Sequence, residues 1–226
     1  FTKPQNNDIV LDFFAGSGTT AHAVIEANKQ DAGNRKFICI QLPEQLDESS
    51  EMYKKGYRSI ADLTIARIKS VIERVNAENA NQLNFNNTAQ IGVRCFSLAN
   101  SNFKVWRGDF IESEADLITQ MNLFTKRKKD NSISVNILWE LLIKSGLPLT
   151  EQVNTIKIDG VDGIYLTNNN KIAFCLEVFN EKIQQEILTQ KPNTVVCLDS
   201  LFNSDDCHKT NSHLKFQDNG IEFKTI

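Results

Sequence analysis

The stretch Asp8-Ile9-Val10-Leu11-Asp12-Phe13-Phe14-Ala15-Gly16-Ser17-Gly18-Thr19-Thr20-Ala21-His22-Ala23-Val24 constrains this chain more than any other. The apolar run 9–11 reads as a fully buried strand. A turn with Gly16 and Gly18 follows, and then an Ala-rich helix over 19–29 that the Asp31-Ala32-Gly33-Asn34 breaker closes. Strand, glycine turn and helix start together make a site for a nucleotide-like ligand. Glycine lets the backbone come close, and the first N–H groups of a helix have no partner within it.

Ligands for such a turn differ in what must stand beside it. A phosphate-cradling P-loop needs Gly-Lys-Ser/Thr, but Gly18 is followed by Thr19 and Thr20. The dinucleotide spacing is met formally by Gly16, Gly18 and Ala21. Asp12 discriminates. A carboxylate at the strand's end repels a pyrophosphate but suits the positively charged methionine moiety of S-adenosylmethionine, which is therefore favoured. A strand at 36–41 completes a βαβ unit with parallel pairing. Gln41, at its end, stands where such units meet the ribose hydroxyls. Leu42, Pro43 and Glu44 follow, and Glu44 is the nearest carboxylate. A plain strand-ending turn is the alternative for this block.

Composition matters chiefly through charge and cysteines. A net charge of −3 argues against a wholly basic nucleic-acid binder without excluding a local basic patch. The five cysteines, Cys39, Cys95, Cys175, Cys197 and Cys207, are scattered, odd in number and mostly in apolar runs. They read as reduced core residues of a cytoplasmic protein, not as a disulfide frame or a metal site. No run approaches the ~20 apolar residues of a membrane span. Phe1 is not an initiator Met, which suggests a piece of a longer protein.

Further along, 52–75 reads as one helix with Ala61, Ile65, Ile68, Ile72 and Val75 as its apolar stripe. Arg67, Lys69, Glu73 and Arg74 lie on the other faces and are most simply solvated. The Asn- and Ala-rich segment 76–90 has no apolar period, giving a division into domains 1–76 and 91–226 with a linker at 77–90. In the second part, strands are expected at 91–98, 103–106, 155–158, 163–167, 171–178, 194–198 and 221–224. An Asn168-Asn169-Asn170 turn should join the 163–167 and 171–178 strands as a hairpin. Helices are expected at 114–124, 133–145, 180–189 and 204–215. The basic run Lys126-Arg127-Lys128-Lys129 reads as a solvated loop. Asp199, Asp205, Asp206, His208 and Lys209 lack a metal-ligand spacing and read as structural or as a subunit contact. His22 reads as a plain helical histidine.

The residues 12–20 resemble the S-adenosylmethionine motif of amino-methylating DNA methyltransferases. Together with Arg35-Lys36-Phe37-Ile38-Cys39-Ile40-Gln41-Leu42-Pro43-Glu44, Tyr53-Lys54-Lys55-Gly56-Tyr57-Arg58-Ser59-Ile60-Ala61-Asp62, the segment 141–150 and the tail around Asp199-Ser200-Leu201-Phe202, they resemble the modification subunit of type III restriction-modification systems. The expected fold is part of a Rossmann-like methyltransferase sheet followed by a smaller α+β domain, the helices and strands of that second part leaving mixed α/β open as well. The resemblance implies transfer of a methyl group from S-adenosylmethionine to adenine N6 in duplex DNA, a homodimer, and a helicase-nuclease restriction subunit as partner. Asp12, Phe13, Phe14, Ala15, Gly16, Ser17, Gly18, Thr19, Gln41, Leu42, Pro43 and Glu44 would line the cofactor. The family's catalytic Asp-Pro-Pro-Tyr is absent, since Pro4, Pro43, Pro148 and Pro192 are nowhere adjacent. No catalytic residue is therefore expected among these 226 residues, and the chain alone should be inactive. Two rival readings are an assembly module and a fragment of a dinucleotide-dependent oxidoreductase.

Overall fold

The computed structural model describes residues 4–80, 91–106, 108–124, 128–168 and 171–226. The chain divides into two compact units, Phe1–Ser97 and Leu98–Ile226.

In the first unit, β1 (Ile9–Asp12) and β2 (Lys36–Cys39) pair in parallel, with Ile9 opposite Lys36 and Asp12 opposite Cys39. The crossover is α1 (Thr19–Asp31), so the βαβ unit read from the sequence is present. A short α2 (Glu51–Lys54) precedes the long α3 (Ile60–Ala80). Ala21 and Ile25 of α1 meet Ile68, Val71, Ile72 and Val75 of α3, with Phe37 and Cys39 of β2 against them. Both helices thus cover one face of the sheet. The other face, Ile9, Leu11, Ile38 and Ile40, is 46–61% exposed. β1 is therefore not the fully buried strand its apolar run suggested. Strand side chains alternate between faces, and helices cover only one of them.

The single helix expected over 52–75 is broken. Gly56 takes φ +101°, and a new helix starts with reciprocal capping. Ser59 Oγ accepts from Asp62 N–H at 3.2 Å, while Asp62 Oδ2 accepts from Ser59 N–H at 2.9 Å. The backbone N–H groups of Arg58 and Ser59 hold the Asp62 carboxyl below the usual carboxylate range. The apolar stripe is rotated as a result: Thr64 and Val71 are buried, whereas Ala61 and Ile65 are half-buried.

Buried Arg35 staples the far end of the sheet. Its guanidinium grips Asp31 through two 2.8 Å bonds and also donates to Asn6 Oδ1 and Pro4 O. Asn28 adds a backbone-like pair, accepting from Arg35 N–H at 3.0 Å and donating to Arg35 O at 2.8 Å. Asn76 treats Ile91 in the same way, at 3.1 and 3.0 Å. The strands expected at 91–98 and 103–106 do not form. The Asn76 amide takes the place of a neighbouring strand, and Phe103 makes a lone bridge to Lys128. Part of the expected linker is helix, up to Ala80, and residues 81–90 lie outside the described ones. The same holds for Lys126, Arg127, Asn169 and Asn170.

The second unit holds one mixed five-stranded sheet in sequential order, so of the two arrangements left open by the sequence, α+β and mixed α/β, it takes the mixed one. β3 (Val153–Ile158), β4 (Val161–Thr167) and β5 (Ile172–Cys175) are antiparallel. β6 (Thr194–Cys197) and β7 (Glu222–Thr225) continue in parallel from β5. Asp159 and Gly160 turn β3 into β4 with φ +53° and +82°, both positive as a two-residue hairpin of this kind requires. Before the sheet come α4 (Glu114–Phe124) and α5 (Ser134–Lys144). α6 (Glu181–Gln190) and α7 (Asp206–Asp218) are the parallel crossovers and cover one face, where Ile183, Ile187 and Phe216 meet Ile164, Leu166 and Val195. On the other face, Ile137, Leu138, Leu141 and Leu142 of α5 meet Tyr165, Phe174 and Val196. Cys175 and Cys197 are buried, and burial pushes the Cys197 thiol up. Cys95 and Cys207 are exposed and so are not the core residues expected. No described helix is long and apolar enough to cross a membrane.

Candidate functional site

The turn between β1 and α1 sits at the carboxyl ends of both strands, where βαβ units present ligands. Asp12 closes β1. Its Oδ2 accepts from Thr20 Oγ at 2.6 Å and its Oδ1 from Phe14 N–H at 3.1 Å. Each carboxylate oxygen keeps a second acceptor position, so a cation can still be bound. Ala15 N–H donates to Ile40 O at 3.1 Å, tying the turn to the end of β2. Phe13 and Phe14 project outward, 61% and 84% exposed.

Gly16 and Gly18 serve different purposes. Both have positive φ, +52° and +78°. A Cβ on Gly16 would meet only Phe14 O, at 3.9 Å, so the outer side of the turn is open to a ligand. A Cβ on Gly18 would lie 3.3 Å from Ile68 Cγ1, Thr64 Cγ2 and Thr64 O, so this glycine lets α3 back onto the turn. Gly18 also starts α1 and accepts from His22 N–H at 3.2 Å.

Gln41 reaches the turn directly. Its Oε1 accepts from Gly16 N–H at 2.7 Å, and its Nε2 donates to Leu42 O at 3.1 Å. Asp12, Gly16 and Gln41, separated in sequence, are thereby brought to one place. Leu42, Pro43 and Glu44 lie exposed in the loop beyond β2. That loop is pinned to the start of α3, where Ile60 N–H donates to Glu44 O at 2.9 Å.

Sequence reasoning missed two residues on α3. Thr64 Oγ donates to Gly16 O, and Arg67 Nη1 donates to Ser17 Oγ at 2.8 Å and Thr19 Oγ at 3.0 Å. Arg67, read as solvated, is instead fixed over the turn. Arg74 is also engaged, with Glu26 and the His22 ring. Nothing in the local sequence marks these contacts, because they depend on how α3 returns to the turn. Arg67→Ala should free the hydroxyls of Ser17 and Thr19 and raise amide exchange from 17 to 20, with that of α5 unchanged.

The tail residues have structural partners. Asp199 pairs with Lys209, and Asp205 caps α7 by accepting from His208 N–H at 2.9 Å. The His208 ring packs against Phe202 and Phe179, at 5.5 and 5.7 Å between centroids. No group of metal-ligating side chains occurs among the described residues.

Residues 1–52, which contain the turn and Gln41, match the family model described as DNA methylase. The chain is similar to modification subunits of type III restriction-modification enzymes. It is 45% identical over 83 residues to the EcoPI Mod subunit of Escherichia phage P1, covering 36% of this chain and 13% of that protein. It is 29% identical over 220 residues to the EcoP15I Mod subunit of Escherichia coli, covering 92% of this chain and 30% of that protein. The type II methyltransferase M.KpnI of Klebsiella pneumoniae is 46% identical over 63 residues, 28% of this chain and 15% of that protein. The chain thus spans a third or less of the length of these relatives.

Proposed function

We propose that this chain is the C-terminal part of a type III modification subunit, and that its first unit supplies part of a Rossmann-like S-adenosylmethionine site. In this reading Asp12 meets the methionine ammonium, the backbone of 13–18 lines the cofactor, and Gln41 to Glu44 lie near the adenosine. Bound there, S-adenosylmethionine supplies the methyl group for adenine N6 of a specific duplex DNA sequence. The adenine must be flipped out of the helix to be reached. The Asp-Pro-Pro-Tyr that would hold the amine is not in these 226 residues. Pairing with a second modification subunit and with a restriction subunit belongs to the same reading.

The observation that carries it is a carboxylate, Asp12, ending β1 beside an open glycine turn that holds no lysine. Asp12 retains an acceptor position on each oxygen, and Gln41 Nε2 retains a second N–H for a ribose hydroxyl. Calorimetric titration with S-adenosylmethionine and with NAD, on the native chain and on Asp12→Ala, tests it. The expected result is binding of the methyl donor that weakens at least ~30-fold in the variant, an ammonium–carboxylate contact being charge-assisted. Binding of NAD alone would overturn the reading in favour of the oxidoreductase. Binding of neither would leave the isolated chain as an assembly module.

A further inference from the structure

Glycine gives the β1–α1 turn freedom, and its shape is fixed from outside. Gly16, with φ +52°, would be the most mobile residue in it if left alone. The two peptide planes that meet at its Cα are each held by a side chain from another element. Gln41, just past β2, accepts from Gly16 N–H at 2.7 Å. Thr64, on α3, donates its hydroxyl to Gly16 O. Fixing both planes fixes both backbone dihedrals of this glycine. Thr64 is 5% exposed, so water has little access to that bond. The same hydroxyl lies 3.0 Å from Ile60 O, one helical turn back, which favours a single rotamer for the side chain. The methyl, Cγ2, stands at Gly18, where an added Cβ would come within 3.3 Å of it. One threonine thus serves both glycines, its hydroxyl at Gly16 and its methyl at Gly18.

We infer that Thr64 is a positioning residue for the methyl donor, acting through Gly16 and not on the ligand itself. The inference rests on the S-adenosylmethionine reading of the turn. A ligand that meets a loose turn must order it, and the entropy lost in doing so is subtracted from its affinity. Glycine has more of that freedom to lose than any other residue. With Thr64 and Gln41 in place the ordering is done when the unit folds, and the ligand meets a turn already shaped. Arg67, nearby on α3, holds the hydroxyls of Ser17 and Thr19, but it does so in an exposed position. The buried bond from Thr64 is the one that sets the peptide groups lining the open side of the turn. Threonine is the residue that joins a hydroxyl to a methyl on one Cβ, so the positioning role can be separated from packing by removing either.

Thr64→Val and Thr64→Ser in the whole chain are the test. Valine keeps the methyl beside Gly18 and loses the bond to Gly16 O; serine does the reverse. Calorimetric titration with S-adenosylmethionine should show affinity about tenfold weaker in Thr64→Val and within about twofold of native in Thr64→Ser. Without ligand, amide exchange at Gly16 and Gly18 should rise about tenfold in Thr64→Val alone. Exchange through α1 and α3 should rise at least as much in Thr64→Ser as in Thr64→Val, because serine gives up a buried methyl. A threonine with a purely structural role would rank the two variants alike in all three measurements. Equal losses of affinity in the two variants, or native exchange at Gly16 and Gly18 in Thr64→Val, would overturn the inference. A native chain that binds no S-adenosylmethionine would instead sink the cofactor reading. Exchange at Gly16 and Gly18 would then decide the matter alone, a rise confined to Thr64→Val upholding Thr64 as the residue that shapes the turn.

Discussion

Gly18→Val is expected to destabilise the first unit by about 3 kcal/mol, while Gly16→Ala costs only about 1. Both glycines have positive φ, so any side chain there carries backbone strain. Only Gly18 adds a packing conflict. Its Cβ would touch Thr64 and Ile68 at 3.3 Å, and α3 cannot retreat without uncovering Ala21 and Ile25. A β-branched side chain makes the conflict worse, because its extra methyls have nowhere to go. The expected effects on the ligand run the other way. Gly16→Ala leaves the unit folded but fills the open side of the turn, so S-adenosylmethionine affinity should fall at least ~10-fold, an overpacking effect on a bound ligand. Both tryptophans, Trp106 and Trp139, lie in the second unit, so fluorescence does not report on this one. Hydrogen exchange in α1 and α3 does, and equal losses in the two variants would show that the glycines do not divide the work.

That division of labour marks where the sequence could and could not be read. The turn was legible because glycine spacing, an acidic strand end and an alanine-rich helix are all local. Asp12, Gly16 and Gln41 were nominated from those signals, and the fold brings them together. The strands of the second unit were legible too, each bounded by turn residues such as Asp159-Gly160. The faces were harder. Whether Ile9 and Leu11 are buried depends on what covers the sheet, and no residue in 9–11 encodes that. The segment 91–98 has strand-like residues but no strand beside it, and a side chain, Asn76, satisfies Ile91 instead. Likewise, the break at Gly56 is decided by a capping box against a continuous apolar period. Thr64 and Arg67 were invisible for a simpler reason: their partners lie 48 or more residues away.

The second unit should be the acid-labile part of the chain, and Glu140 is the reason. This carboxylate on α5 is 15% exposed and accepts from Ser101 Oγ, Asn102 N–H at 2.7 Å, Asn102 Nδ2 at 2.9 Å and Lys144 Nζ at 2.7 Å. Burial alone would push its pKa up. The donors, Lys144 and Ser101 foremost, outweigh burial and bring it down from 4.5 to about 2. A folded-state pKa below the unfolded one means stability that is complete above the unfolded value and lost as pH falls through the folded one. For Glu140 that window runs from about pH 4.5 to about 2, and the stability at stake is about 3 kcal/mol. Glu140→Gln keeps the shape but places an amide N–H₂ against donors, so at pH 7 it should cost about 2–3 kcal/mol. The gap between native and variant should then close as pH drops through the window, because protonated Glu140 loses the same bonds. Urea unfolding followed by the fluorescence of Trp139, its neighbour on α5, reads the effect within this unit. A gap that persisted unchanged to pH 2 would place the native acid lability elsewhere, on carboxylates such as Asp116 or Glu222, which hydrogen bonds also hold below their usual range.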